Sequence, residues 1–180
     1  MIESTQKKLC EARFFCAKLE HESRTPPTRE PEVLEFYLSA FLSAARSVTF
    51  ALQSEEKQKY DAWFPMWLGS RSPEEKEILK LFRAQRNRVL KEGVADVAPD
   101  WALVPVTQLQ TSGTPYPAHL LWWGESVPEV GVRILRFDSS LGVTDSDVIP
   151  TCTRYITLLD QLVGDFVKAH TSDSGSLTSA

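Results

Sequence analysis

The stretch from Ser72 to Gly93 constrains the fold most, because local chemistry marks both of its ends. Ser72 belongs to the residue types that cap helix N-termini, Glu75 three residues later completes a capping box, and Pro73 suits the first helical position. Gly93 suits the left-handed residue that follows a last helical turn. The sequence therefore predicts a helix between these ends.

An arginine lies among the apolar residues of this helix. At about 100° per residue, Arg86 falls within the stripe formed by Leu79, Phe82, Val89 and Leu90. A guanidinium in such a stripe needs a carboxylate, a phosphate or water, because an unpaired buried charge is costly. Two interpretations of Arg86 stay open, a structural ion pair with an acidic residue of another helix and a contact with a phosphate.

Two helices are predicted before it, from about Ile2 to His21 and from about Pro31 to Ser54, joined by the linker SRTPPTREP. The longer one is apolar on two faces. The first face holds Leu34, Tyr37, Leu38, Phe41, Ala45, Val48 and Leu52, and the second holds Phe36, Ser39, Ser43, Arg46 and Phe50. We expect the second face either to pack on another helix of this chain or to meet a second copy of the protein, and Arg46 in its middle also needs a partner.

An aromatic segment, YDAWFPMWLGS, follows the charged residues EEKQK, which are predicted to form a solvated turn. Pro65 within it is expected to break or kink a short helix. The aromatic cluster has two interpretations, a lid packed on the core and a platform on which nucleic-acid bases stack.

Between Ala95 and Leu141 the helical period disappears, and the runs ALVPVTQL, AHLLWWGE and VGVRILRF predict two or three short strands, the last two joined at GESVPEVG. Pro105 predicts that the first of these is an edge strand or a loop. A final helix is predicted from about Ser146 to His170, and the polar residues 171–180 are predicted to be disordered. The apolar residues of this helix predict one continuous core stripe, formed by Cys152, Tyr155, Ile156, Leu159, Leu162, Val163 and Phe166. The sequence thus predicts a mainly α fold, a single domain over residues 1–170 with residues 95–141 as a β-containing insertion before the last helix.

Composition excludes some functions. The net charge of -4 argues against an extensive electrostatic footprint on nucleic acid or an anionic membrane, although a local basic cluster can still bind phosphate. Nothing resembles a membrane span or a signal peptide, so we expect a cytoplasmic protein. Cys10, Cys16 and Cys152 lack a paired spacing and are predicted to be buried free thiols. No motif for a metal or a cofactor is present, and none is expected.

The order of a long helix, an aromatic linker, the helix LFRAQRNRVLKEG, a β segment and a last helix resembles the HEPN superfamily (higher eukaryotes and prokaryotes nucleotide-binding), in particular its small bacterial stand-alone members. Residues 31–93 carry the resemblance well and residues 146–170 loosely. Arg86 and Asn87 match the first two positions of the family's RNx(3)H-type motif. The resemblance implies an up-and-down helical bundle that forms a homodimer, with the two motifs brought together and often with metal-independent RNase activity.

In that motif the arginine holds the scissile phosphate, its polar neighbour orients it, and the histidine transfers protons. This sequence has Lys91 at the histidine position, and a lysine with an ordinary pKa of about 10.4 is a poor general base at neutral pH. The preferred hypothesis is therefore a non-catalytic or regulatory HEPN-like homodimer. Its contacts with RNA or a nucleotide would come from Arg46, Arg83, Arg86, Asn87 and Arg88.

Two other hypotheses stay open. One is a metal-independent endoribonuclease of the toxin–antitoxin or phage-defence type, with Arg86, Asn87 and Lys91 as its catalytic residues. The other is a structural protein that binds a partner protein through the aromatic cluster and the β insertion.

Overall fold

The computed structural model describes residues 2–23, 32–93, 95, 97–105, 129–137 and 147–171. Over these residues the chain is mainly α-helical and forms a helical bundle, as the sequence predicts. Its elements are α1 (Glu3–Ser23), α2 (Glu32–Glu55), α3 (Lys57–Gly69), α4 (Pro73–Glu92), β1 (Val97–Pro105), β2 (Glu129–Phe137) and α5 (Val148–Thr171). The helix bounds agree with the predicted ones to within a few residues.

Helices α1 and α2 form an antiparallel pair with the most extensive helix–helix packing of the bundle. The carboxylate of Glu55, at the end of α2, accepts hydrogen bonds from the backbone N–H groups of Ser4 (2.7 Å) and Thr5 (3.0 Å) and from the Thr5 hydroxyl (2.6 Å). These N–H groups lie in the first turn of α1, where no intrahelical acceptor exists for them. A residue distant in sequence therefore caps α1. Glu55 is the first residue of the segment EEKQK, which was predicted to be only a solvated turn.

Helix α5 carries the main apolar stripe of the bundle, and this prediction is confirmed. Its buried residues are Val148, Thr151, Cys152, Tyr155, Leu158, Leu159, Leu162, Val163 and Phe166. Helix α1 runs antiparallel to α5, since Arg13 pairs with Asp160 at 2.7 Å and the Thr153 hydroxyl donates to Glu20 at 2.9 Å. Because α1 also pairs with α2, it lies between α2 and α5 on one side of the core.

An aromatic stack joins α2, α4 and α5 in the centre of the bundle. The rings of Phe82 and Tyr155 are stacked with centroids 4.0 Å apart, and both rings meet Phe41 edge-on. Phe137, at the end of β2, meets Phe82 edge-on at 5.8 Å. The β element is thereby attached to the core where α4 and α5 meet.

The sequence predicts that Pro65 breaks or kinks a short helix; helix α3 continues through Pro65, so a break does not occur, and the kink stays a prediction. Only Glu56 separates α3 from α2, because its backbone leaves the helical region (φ -136°, ψ 46°). Tyr60 and Trp67 are buried, and the indole N–H of Trp67 donates to Asp165 of α5 at 3.1 Å. The aromatic segment therefore packs on the core, as the lid interpretation predicts.

Strands β1 and β2 pair antiparallel, with Val97 opposite Phe137 and Pro105 opposite Glu129. The first predicted run starts too late, since β1 begins five residues earlier, at Val97 rather than Ala102. Pro105 is the last residue of β1, where a missing backbone N–H costs the ladder least. The run AHLLWWGE and most of the connection GESVPEVG lie outside the described residues, as do residues 172–180, so the hairpin and the disordered tail stay predictions.

Two smaller findings concern the surface. Cys16 and Cys152 are buried as predicted, but Cys10 is exposed, because it lies on the face of α1 opposite the buried residues of that helix. None of the helices described is both long enough and apolar enough to cross a membrane.

Candidate functional site

The two ends of α4 are fixed by the contacts that the sequence predicts. The Glu75 backbone N–H donates to the Ser72 hydroxyl at 3.2 Å, and the Ser72 backbone N–H donates to the Glu75 carboxylate at 2.7 Å. Gly93 adopts the left-handed conformation with φ 80°, and its N–H donates to the Val89 carbonyl at 3.0 Å. The helix is therefore held in register from its first turn to its last.

The buried face of α4 differs from the predicted stripe. Ile78, Leu81, Phe82 and Gln85 are buried, whereas Leu90 is 60% exposed. The face that packs on α2 and α5 is therefore turned away from Arg86, toward Leu81 and Gln85. The stripe was predicted from the polarity of the residues alone. Gln85 is polar but buried, and Leu90 is apolar but exposed, so the burial of both positions was predicted wrongly.

Arg86 consequently lies at the edge of the buried face and is half-buried. Its Nε atom is buried and has no hydrogen-bond partner among the described residues. No carboxylate in the described part of the chain forms an ion pair with it, so the structural ion pair anticipated from the sequence is not found there. A buried N–H donor without an acceptor is costly, and a rotation of this half-buried side chain toward the exposed face would let an anion satisfy it.

The exposed face of α4 gathers three of the other predicted site residues. Arg83, Asn87 and Lys91 are all exposed and fall within an arc of about 80°, on the side opposite the buried face. Lys76 and Lys80 fall within the same arc, although they were not among the predicted residues. The signal that would have found them is present in the sequence, since lysines recur at positions 76 and 80 one turn apart and Arg83 follows three residues later.

The remaining two candidates lie elsewhere. Arg88 is about 140° around the helix from Arg83 and pairs with Glu92 at 2.8 Å. Arg46 lies on α2, where its guanidinium donates to the Thr49 hydroxyl at 2.9 Å and covers the Phe50 ring at 4.4 Å. Its charge acts on two buried tyrosines. Burial raises the pKa of both Tyr60 and Tyr155 to about 12, and the Arg46 charge opposes that rise.

The second face of α2 is largely uncovered by the described residues. Phe36 is 66% exposed and Phe50 is 50% exposed, and Ser43 between them is exposed as well. Of the two alternatives for this face, packing on another helix of the same chain is therefore not seen in the described part.

No family model matches this chain, and no curated protein or solved structure matches it. The resemblance to the HEPN superfamily therefore stays a prediction. In the described segments, no group of three or more His, Cys, Asp or Glu side chains is placed to hold a metal ion.

Proposed function

We propose that this protein is a HEPN-like homodimer that binds RNA or a nucleotide through α4 without cleaving it. The observation that carries the proposal is Arg86, whose buried Nε donor lacks a partner among the described residues and adjoins an exposed face bearing Arg83 and Asn87. A phosphate oxygen is the acceptor that best suits an arginine at such an edge, because charge-assisted hydrogen bonds to a guanidinium are short and strong.

A second arginine shows why the neighbours of Arg86 matter. Arg71 also has a buried Nε without a partner among the described residues. Its terminal nitrogens, however, donate to Gln161 at 3.5 Å and to Ser70 at 3.2 Å, and its guanidinium covers the Trp67 ring at 4.8 Å. Arg71 is therefore occupied by this chain, and it serves as a matched control.

Lys91 supports binding rather than catalysis. It lies one turn after Asn87 on the exposed face, at the position where the resemblance would place a histidine. A protonated amine there attracts a phosphate but does not readily accept a proton, whereas proton transfer at the ribose hydroxyl needs a base. Metal-independent cleavage remains the alternative function, and it uses the same residues.

The homodimer would form through the second face of α2. Phe36, Ser39, Ser43, Arg46 and Phe50 recur at alternating steps of three and four residues, the spacing of a helix–helix seam. The face is symmetric about Ser43, since Phe36 and Phe50 are each seven residues from it. An antiparallel copy of α2 would therefore place Phe36 against Phe50 of the second copy, with small serines at the crossing.

Binding is tested with a fluorescent RNA pool and with a labelled nucleotide, using fluorescence anisotropy. Arg86→Gln should weaken binding at least tenfold, as expected when a charge-assisted hydrogen bond of about 1.5–3 kcal/mol is lost. Arg71→Gln should bind like the wild type. Equal effects of the two changes, or no binding by the wild type, would refute the proposal.

The same preparations decide the alternative. RNA cleavage in the absence of metal, lost in both Arg86→Ala and Lys91→Ala variants that remain folded, would make the protein an endoribonuclease. For the dimer, the mass of the wild type in solution should be twice that of the chain, and Ser43→Arg should yield monomers. Phe14→Glu, at a similarly exposed phenylalanine on α1 (54%), should leave the mass unchanged.

A further inference from the structure

The outer face of α4 carries a row of positive charge that extends well beyond Arg86. Lys76, Lys80, Arg83 and Lys91 all lie within the same arc of about 80°, together with Asn87. Helix α4 holds six of the chain's 20 lysines and arginines, while the chain as a whole has a net charge of -4. Four of these six basic residues lie on one side of the helix, in the row.

The acidic residues of α4 lie outside this row. Glu74 and Glu75 are in the first turn, where Glu75 belongs to the capping box. Glu77 lies on the flank of the row and pairs with Lys80 at 2.6 Å, in a contact whose two side chains are exposed. Glu92 lies about 100° around the helix from Lys91 and pairs with Arg88 at 2.8 Å. An exposed ion pair of this kind contributes about 0–1 kcal/mol, so Lys80 can exchange it for a phosphate.

The length of the row distinguishes between ligands. From Lys76 to Lys91 the helix rises about 22 Å, at about 1.5 Å per residue. A mononucleotide can contact only part of that length, whereas a chain of phosphates can contact all of it. A duplex fits poorly, because each of its strands turns once in about 34–36 Å and would wind away from a straight row over about 22 Å.

We infer that α4 binds a single strand of nucleic acid laid along the helix, with successive phosphates on Lys76, Lys80, Arg83 and Lys91. This inference rests on the proposed function and names its ligand as an extended strand. The row itself holds no aromatic residue on which bases could stack, so the contacts are with the backbone and are expected to tolerate any sequence.

The test measures the salt dependence of binding for a labelled 12-nucleotide oligouridylate. For single strands, the logarithm of the binding constant falls with the logarithm of salt concentration with a slope of about -0.7 per phosphate contact, so the four contacts of the row together with the contact of Arg86 predict a slope of about -3.5. Lys80→Gln combined with Lys91→Gln should reduce this slope to about -2.1 and weaken binding. Both side chains are exposed, and circular dichroism with a thermal melt checks that the variant is folded.

A matched control comes from α3. Lys57 has the same side-chain exposure as Lys80, 72%, and likewise pairs with a carboxylate of its own helix. The double change Lys57→Gln and Lys59→Gln removes the same charge from the protein and should leave the slope near that of the wild type. A fall of the slope in both double variants would mean that net charge, not the row, governs binding, and would overturn the inference.

The remaining outcomes separate this inference from the proposed function. One outcome is that the strand binds but the α4 double change leaves the slope unchanged. Another is that uridine monophosphate or a 12-base-pair RNA duplex competes as well as the strand. Either result would show that the row is not the binding site of the strand, while phosphate binding at Arg86 would survive. If neither the strand nor a nucleotide binds the wild type, both proposals fall together.

Discussion

Replacing Glu55 with alanine is expected to loosen the N-terminus of α1, because this carboxylate caps a helix that lies 50 residues earlier in the chain. Three donors would lose their acceptor at once, the backbone N–H groups of Ser4 and Thr5 and the hydroxyl of Thr5. The N–H groups of the first turn can turn to water, whereas Thr5 is fully buried, so its hydroxyl has less access to water than these N–H groups have.

The magnitude follows from these contacts. Loss of an N-cap costs about 0.5–2 kcal/mol, and an unsatisfied buried hydroxyl costs about 1–3 kcal/mol. Because Glu55 is itself partly exposed and water can enter after its removal, we expect about 2 kcal/mol for Glu55→Ala. In a chain of this length that corresponds to a fall in Tm of about 4–8 °C. Glu55→Gln keeps one acceptor oxygen and should cost about half as much.

Urea and thermal unfolding, followed by circular dichroism, measure this loss. Glu11→Ala is the control, since Glu11 makes an exposed ion pair with Lys8 in the same helix and its removal should cost less than about 0.5 kcal/mol. If Glu55→Ala were no more destabilising than Glu11→Ala, the cap would contribute nothing and the reasoning would be refuted.

The pH dependence gives a second measurement of the same contact. Desolvation raises the pKa of Glu55, but the hydrogen bonds from Thr5 and Ser4 together outweigh it and hold the pKa below its ordinary value of 4.5. A carboxyl with a lowered pKa in the folded state stabilises above its unfolded pKa and loses that contribution as the pH falls through the folded value. The stability difference between the wild type and Glu55→Gln should therefore be full at pH 7 and shrink below about pH 4.5.

Two further predictions concern the described fold. Gly93→Ala should destabilise the folded protein by about 1 kcal/mol in chemical denaturation, because a Cβ is strained on the left-handed backbone at φ 80°, although no neighbouring atom would clash with it. An unchanged stability would contradict the assigned backbone conformation. One thiol per native chain, Cys10, should react quickly with a disulfide reagent at pH 8, and all three should react after unfolding, since burial raises the pKa of Cys16 to about 11 and that of Cys152 well above its usual range. Fast reaction of a second thiol in the native protein would show that the core is not packed as described.

The ends of α4 and the stripe of α5 could be predicted because their signals are local. Ser72, Glu75 and Gly93 act within one helical turn of themselves, so the residue types alone specify the contacts that the structure shows. The stripe of α5 is continuous over its whole length, and a single misjudged position could not rotate it. Here the sequence pattern and the tertiary packing place the same residues in the core.

The features that the sequence did not predict depend on tertiary contacts between secondary-structure elements. From the sequence alone, Glu55 would be predicted to be an ordinary exposed glutamate, because nothing near it in sequence indicates that a buried threonine of α1 is its partner. The buried face of α4 was misplaced for a related reason. Gln85 is buried and Leu90 exposed because of where α2 and α5 contact the helix, and a helical period gives the direction of a face only when polarity and burial agree.

The corrected orientation of α4 also changes the significance of Arg86. In the predicted stripe it would have pointed into the core, where an arginine most often makes a structural ion pair. In the structure Phe82 and Gln85 take that place, and Arg86 lies between the buried face and the basic row. Because a capped end, an aromatic stack and a left-handed glycine fix the rotation of the helix, the row from Lys76 to Lys91 is held in place before any ligand arrives. The backbone under the row is ordered in advance and loses little conformational entropy on binding, which is why changes at the ends of α4, such as Gly93→Ala, should weaken the proposed strand binding as well as stability.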